Sequence, residues 1–93
     1  MANAKKLTTG EQNLLKKFKL DTFSPTEPAT FERSNVFTGS PSKLNTLGIR
    51  IFDLVISMQM AYDRGTKINI QDFDRLRHLF LKLFPDEYMN LLD

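Results

Sequence analysis

Arg33-Ser-Asn-Val-Phe-Thr-Gly-Ser-Pro41 is the stretch on which the fold class turns. It sets two large apolar residues, Val36 and Phe37, among turn formers. Neither a helical nor a strand period runs through it. Pro25, Pro28 and Pro41 deny a long helix to residues 21–45. Read as loop, the stretch leaves the chain all-α, with helices on either side of an irregular arm. Thr38-Gly-Ser-Pro41 then turns the chain into the next helix. Val36 and Phe37 become a structural latch that plugs an apolar face left open by the downstream helices.

The arm is long. Loops beyond about 12–15 residues are uncommon unless they are functional or disordered. A disordered linker has little use for Phe23, Phe31 and Phe37, so the expectation is an extended, ordered arm with its aromatic residues anchored on a surface. Phe23 and Phe31, upstream of the latch, are the candidates for contact with another molecule. Whether the arm packs on its own core or on another chain is left open by the residues.

Downstream, an antiparallel helical hairpin is expected at about 46–64 and 70–84. Leu47, Ile51, Leu54, Val55, Met58 and Tyr62 recur at spacings of three and four, and Ile49, Phe52, Ile56 and Met60 cover much of the other side. A helix apolar on most faces is contacted from two sides. Asn45 and Asn69 are placed to cap the two helices, because a short side-chain oxygen can accept from an unpaired first-turn amide. Gly65 supplies the left-handed stop. The five residues Gly65-Thr-Lys-Ile-Asn69 fold the helices back on each other. Pro85 ends the second helix and opens a short C-terminal one at 86–92.

Upstream, Leu14, Leu15 and Phe18 make a narrow stripe on an N-terminal helix expected over 10–20, with Thr9 and Gln12 as its capping box. The 93 residues make a single small domain: this helix and arm over 1–45, and a helical core over 46–93. That core of roughly fifty residues is near the lower limit for independent folding, which points to further burial by the arm or by self-association.

Composition excludes several classes. The chain has no cysteine, hence no disulfide framework and no thiolate metal site. The N-terminus lacks the apolar core of a signal peptide, and no stretch is apolar enough to span a bilayer, so a soluble protein is expected. Catalysis has little to work with. His78 is the sole histidine, Asp72 and Asp74 point to different helix faces, and the four glycines form no phosphate-cradling loop. Asp72 and Asp74 read as complements to the helix dipole. No enzyme, cofactor, metal or small-molecule substrate is expected.

Charge is uneven: residues 1–20 hold five lysines against Glu11, although the whole chain carries only +2. Lys16, Lys17 and Lys19 therefore join Phe23 and Phe31 as partner-binding candidates. They make nucleic acid the alternative to a protein partner, since phosphate neutralisation needs several cations on one surface.

Two segments carry a resemblance. Ser34-Asn-Val-Phe-Thr-Gly39, followed by helix, and the ending Phe84-Pro-Asp-Glu-Tyr-Met-Asn-Leu-Leu-Asp93 resemble a group of small tailed-bacteriophage proteins. In these an Asn-x-Phe-Thr-Gly element precedes a helical hairpin and the chain stops at Pro-x-x-Tyr-Met-x-Leu-Leu-Asp. The match covers about residues 33–93 and leaves the lysine-rich start outside it. The resemblance implies a viral origin and a place in the host cytoplasm or the virion; the group has no assigned enzymatic activity, so it implies no mechanism. With the residue reading, it makes the expected function a non-enzymatic helical interaction module: a phage-encoded accessory, minor virion or assembly protein that binds a protein or itself. The alternative is a small regulator that binds a host factor or nucleic acid through its lysine-rich start.

Overall fold

A computed structural model describes residues 7–92. The order of elements is α1 (Thr9–Lys17), β1 (Phe31–Ser34), β2 (Pro41–Leu44), α2 (Thr46–Asp63), α3 (Ile70–Leu83) and α4 (Pro85–Leu91). The expected all-α fold is thereby corrected: the domain mixes four helices with a two-stranded antiparallel sheet.

The arm was expected to lack secondary structure because its strands carry almost no signature. Phe-Glu-Arg-Ser and Pro-Ser-Lys-Leu have no alternation of apolar and polar residues, and all four β1 residues are exposed. Pairing comes from elsewhere. Phe31 stands opposite Leu44, Glu32 opposite Lys43, Arg33 opposite Ser42 and Ser34 opposite Pro41. Opposite charges at the second pair favour this register. Leu44 is fully buried, and the Arg33 guanidinium donates to both carboxylate oxygens of Asp53 on α2, at 3.1 and 3.0 Å. These hydrogen bonds push the Arg33 pKa up. Tertiary contacts hold the strands, and proline at the first position of β2 is tolerated there.

The helical hairpin stands as its sequence requires. Asn45 Oδ1 accepts from the Gly48 amide at 2.8 Å and Asn69 Oδ1 from the Asp72 amide at 3.1 Å. Gly65 closes α2 with φ +85°. Asn45 does more than cap. Its Nδ2 donates to the carbonyls of Pro25 and Glu27, each at 3.1 Å, and so fastens the loop before β1 to the start of α2. Gly48 faces Leu44 and Phe84 so closely that a Cβ there would lie 3.0 to 3.2 Å from their side chains. At the centre, the fully buried Phe80 ring lies 6.1 Å from Phe52, 5.5 Å from Phe84 and 6.4 Å from Tyr88, joining α2, α3 and α4. Its truncation to alanine falls in the class that costs roughly 3–5 kcal/mol.

α1 differs from its expected form at both ends. The cap is Thr8, one residue earlier than expected: its Oγ1 accepts from the Glu11 amide, and its own amide donates to Glu11 Oε1. A carboxylate closes the box in place of Gln12. The helix stops at Lys17 because Lys19 takes φ 60°, while the Leu20 amide donates back to the Leu15 carbonyl at 2.8 Å. Leu14, Leu15 and Leu20 enter the core. Two ion pairs bind α1 to α3: Lys17 Nζ with Asp72 Oδ2 at 2.5 Å, and Lys82 Nζ with Glu11 Oε1 at 2.7 Å. Asp72, only 5% exposed, is thus an anchor for α1 as well as a first-turn acid.

Burial pushes the Glu11 carboxyl up, but hydrogen bonds from Lys82 and Thr8, with the Lys82 charge, outweigh it and hold the pKa below its ordinary value of 4.5. A carboxyl depressed in the folded state stabilises fully above its unfolded pKa, and that stabilisation fades as pH falls through the lower folded value. Glu11→Gln should therefore lower the urea midpoint at neutral pH. Its deficit against the wild type should shrink as melts are taken from about pH 7 down to about pH 3.

Candidate interaction site

The turn of the β-hairpin is organised by one buried asparagine. Asn35, 8% exposed, accepts through Oδ1 from the amides of Phe37 at 2.7 Å and Thr38 at 2.9 Å. Its backbone amide donates to the Ser40 carbonyl at 2.9 Å, and its carbonyl accepts from the Gly39 amide at 2.8 Å. Gly39 sits at φ +75°, where a side chain is disfavoured. Thr38 Oγ1 accepts from the Ser40 amide at 3.2 Å.

α4 grips this turn through a reciprocal exchange of amides. Asn35 Nδ2 donates to the Asn90 carbonyl at 2.7 Å. Asn90 Nδ2 returns to the carbonyls of Ser40 and Pro41, both at 3.1 Å, and to Ser42 Oγ at 2.7 Å. A carbonyl near the end of α4 has no partner further along the helix, and Asn35 supplies one. No buried side-chain polar atom among the described residues lacks a partner.

This arrangement overturns the latch. Val36 is 73% exposed and Phe37 93% exposed, so neither side chain plugs anything. The amide-rich residues between them and the body do the fastening, and the apolar pair projects from the end of the hairpin. Burial is the usual fate of phenylalanine, which points to the apolar pair as the fastening; the fastening belongs instead to Asn35 and Asn90. An Asx turn followed by glycine was the available signal.

The other candidates are placed as follows. Phe23 is half-buried against the core, with the Arg50 guanidinium 5.8 Å from its ring, so it serves the fold. Phe31 lies on β1 opposite Leu44 and remains 43% exposed. Lys17 is engaged by Asp72, while Lys16 and Lys19 are exposed on either side of the end of α1. Lys5 and Lys6, the rest of the basic cluster, lie outside the described residues. Arg77 packs on the rings of Phe73 and Tyr88 and donates to the Tyr88 hydroxyl at 3.0 Å.

His78 Nδ1 lies 2.8 Å from the Asp74 carbonyl and 3.4 Å from its carboxylate, on an exposed face. Among the described residues, no group of three or more His, Asp or Glu side chains is placed to hold a metal ion. None of the described helices is long and apolar enough to cross a membrane.

A second feature lies where α2 and α3 meet. Gln59, Tyr62, Ile68, Ile70, Gln71 and Phe73 line an open cleft of about 400 Å³. Met60, Tyr62 and Ile70 are all more than half exposed, so the end of the helical hairpin carries apolar surface outside the core.

Asn35→Ala should cost about 2–3 kcal/mol in urea unfolding, because it removes the Oδ1 that accepts from two amides and the Nδ2 donor from a partly buried turn. Phe37→Ala should change stability by no more than about 0.5 kcal/mol, as expected of an exposed side chain. A loss of the size expected for a buried phenylalanine would restore the latch.

Comparison with protein-family models, curated proteins and solved structures finds no match to this chain.

Proposed function

We propose that this chain is a non-enzymatic protein-interaction module that meets its partner through the tip of the β1–β2 hairpin. Phe37 is the anchor and Val36 its neighbour. A single exposed apolar residue is ordinary on a protein surface. What supports a role for this one is the contrast at the tip: a satisfied network of asparagine amides fixes the turn, and the residue it presents is the most exposed large apolar side chain among the described residues. A preorganised aromatic loses little conformational freedom on binding, the property that makes such residues effective anchors.

Charge favours a protein over nucleic acid. From Ser34 to Ser42 no residue is charged, in a chain where 26% are. The cations at the end of α1 are reduced by the Lys17–Asp72 pair. Within the resemblance to small tailed-phage proteins, this is the work of an accessory, minor virion or assembly component.

Wild-type protein immobilised in bacterial lysate should capture a partner that Phe37→Ala captures at least about tenfold less well, while Lys16→Ala/Lys19→Ala captures it normally. Equal capture by Phe37→Ala would overturn the tip as the contact. Phe37-dependent flotation with lipid vesicles would replace the protein partner by a bilayer. Binding to DNA or RNA that weakens with salt and with loss of the lysines would favour the nucleic-acid reading.

A further inference from the structure

We infer that Asn90 is a positioning residue for the Phe37 contact. The last turn of α4 holds the hairpin turn in its presenting shape, and unwinding of that helical turn withdraws the contact. The inference rests on the reading of Phe37 as an anchor and adds how its site is governed.

The two ends of the β-hairpin are held in different ways. At the inner end Leu44 is fully buried and Arg33 pairs with Asp53 of α2. At the outer end, residues 36–41 are all exposed, so no apolar burial fixes the turn. Among the described residues, the hydrogen bonds that leave residues 34–42 for another element run to Asn90. Its carbonyl accepts from Asn35 Nδ2, and its own Nδ2 reaches the Ser40 and Pro41 carbonyls and Ser42 Oγ.

The helix that carries Asn90 is itself conditional. α4 has seven residues, too few to persist as an isolated helix in water, and no side chain caps its start. Docking supplies its order: Leu91 is buried, the Tyr88 ring lies 6.4 Å from Phe80, and the Tyr88 hydroxyl accepts from Arg77. The dependence runs both ways, because Asn35 satisfies a carbonyl in the last turn of α4. Turn and helix end therefore order together. When they loosen, Phe37 stays exposed but loses its fixed direction, and a partner must order the turn before it can bind.

The test reads backbone order in the free protein by amide nitrogen relaxation. Wild-type residues 36–39 should have order parameters of about 0.85, falling below about 0.6 in Asn90→Ala while α2 and α3 keep their values. Asn90→Asp keeps the shape and the acceptor but loses the donors, so it should loosen the turn as far as alanine does. Asn35→Ala should loosen residues 88–92 in return, and Phe37→Ala should loosen neither end. In bacterial lysate, both Asn90 variants should capture the protein that wild type captures at least about tenfold less well, although Phe37 is intact.

A turn that stays rigid in Asn90→Ala, an Asn90→Asp that behaves as wild type, or a helix end that stays ordered in Asn35→Ala would each overturn the coupling. Loosened Asn90 variants that capture as well as wild type would overturn its hold on the contact. Equal capture by Phe37→Ala would remove the anchor instead, and the relaxation data would still decide whether α4 orders the turn.

Discussion

Every polar group that a folded chain withdraws from water needs a partner, and residues 18–45 contain no helix to provide one. The β1–β2 ladder and a few turn bonds meet part of this constraint, and three asparagine side chains fasten what they leave to the helices. Asn45 joins the Pro25 and Glu27 carbonyls to the first turn of α2, Asn35 closes the hairpin turn, and Asn90 ties that turn to α4. An amide can donate and accept at once, so a single side chain can bridge a loop to a helix end. Without these bridges the hairpin would rest on Leu44 and the Arg33–Asp53 pair, too little to hold strands of four residues.

The same constraint explains the division between what is buried and what is displayed. Asn35 is covered although polar, and Phe37 is exposed although apolar. Inverting the usual preference at neighbouring positions makes sense if the turn backbone must be rigid while its outward surface stays free. The helical core supplies the support through Phe80 and its aromatic neighbours, and α1 closes its side through ion pairs to Asp72 and Lys82. Among the described residues, the far end of the α2–α3 hairpin receives no such cover, and Met60, Tyr62 and Ile70 remain largely exposed.

Legibility in the sequence followed the range of the interactions. Asn45 and Asn69 as caps, Gly65 as a stop and Pro85 as a helix start were readable because each acts within a few residues of itself. The α1 cap lies one residue earlier than expected because two overlapping boxes are possible there, and the Thr8–Glu11 box is further supported by Lys82, 71 positions away. The candidate site was only half legible. Its residues stood out as an apolar pair in a polar turn, but their exposure depends on Asn90 at the other end of the chain.

By itself, the sequence determined the four helices, the antiparallel hairpin of α2 and α3, and the absence of cysteine chemistry. Helical periodicity and capping are local properties written into consecutive residues. Only the tertiary structure decided that residues 31–44 pair as strands and that Phe37 points outward. Those outcomes rest on contacts 20 to 55 residues apart, between Arg33 and Asp53 and between Asn35 and Asn90. Strands so short and so polar have no intrinsic preference strong enough to show before those partners arrive.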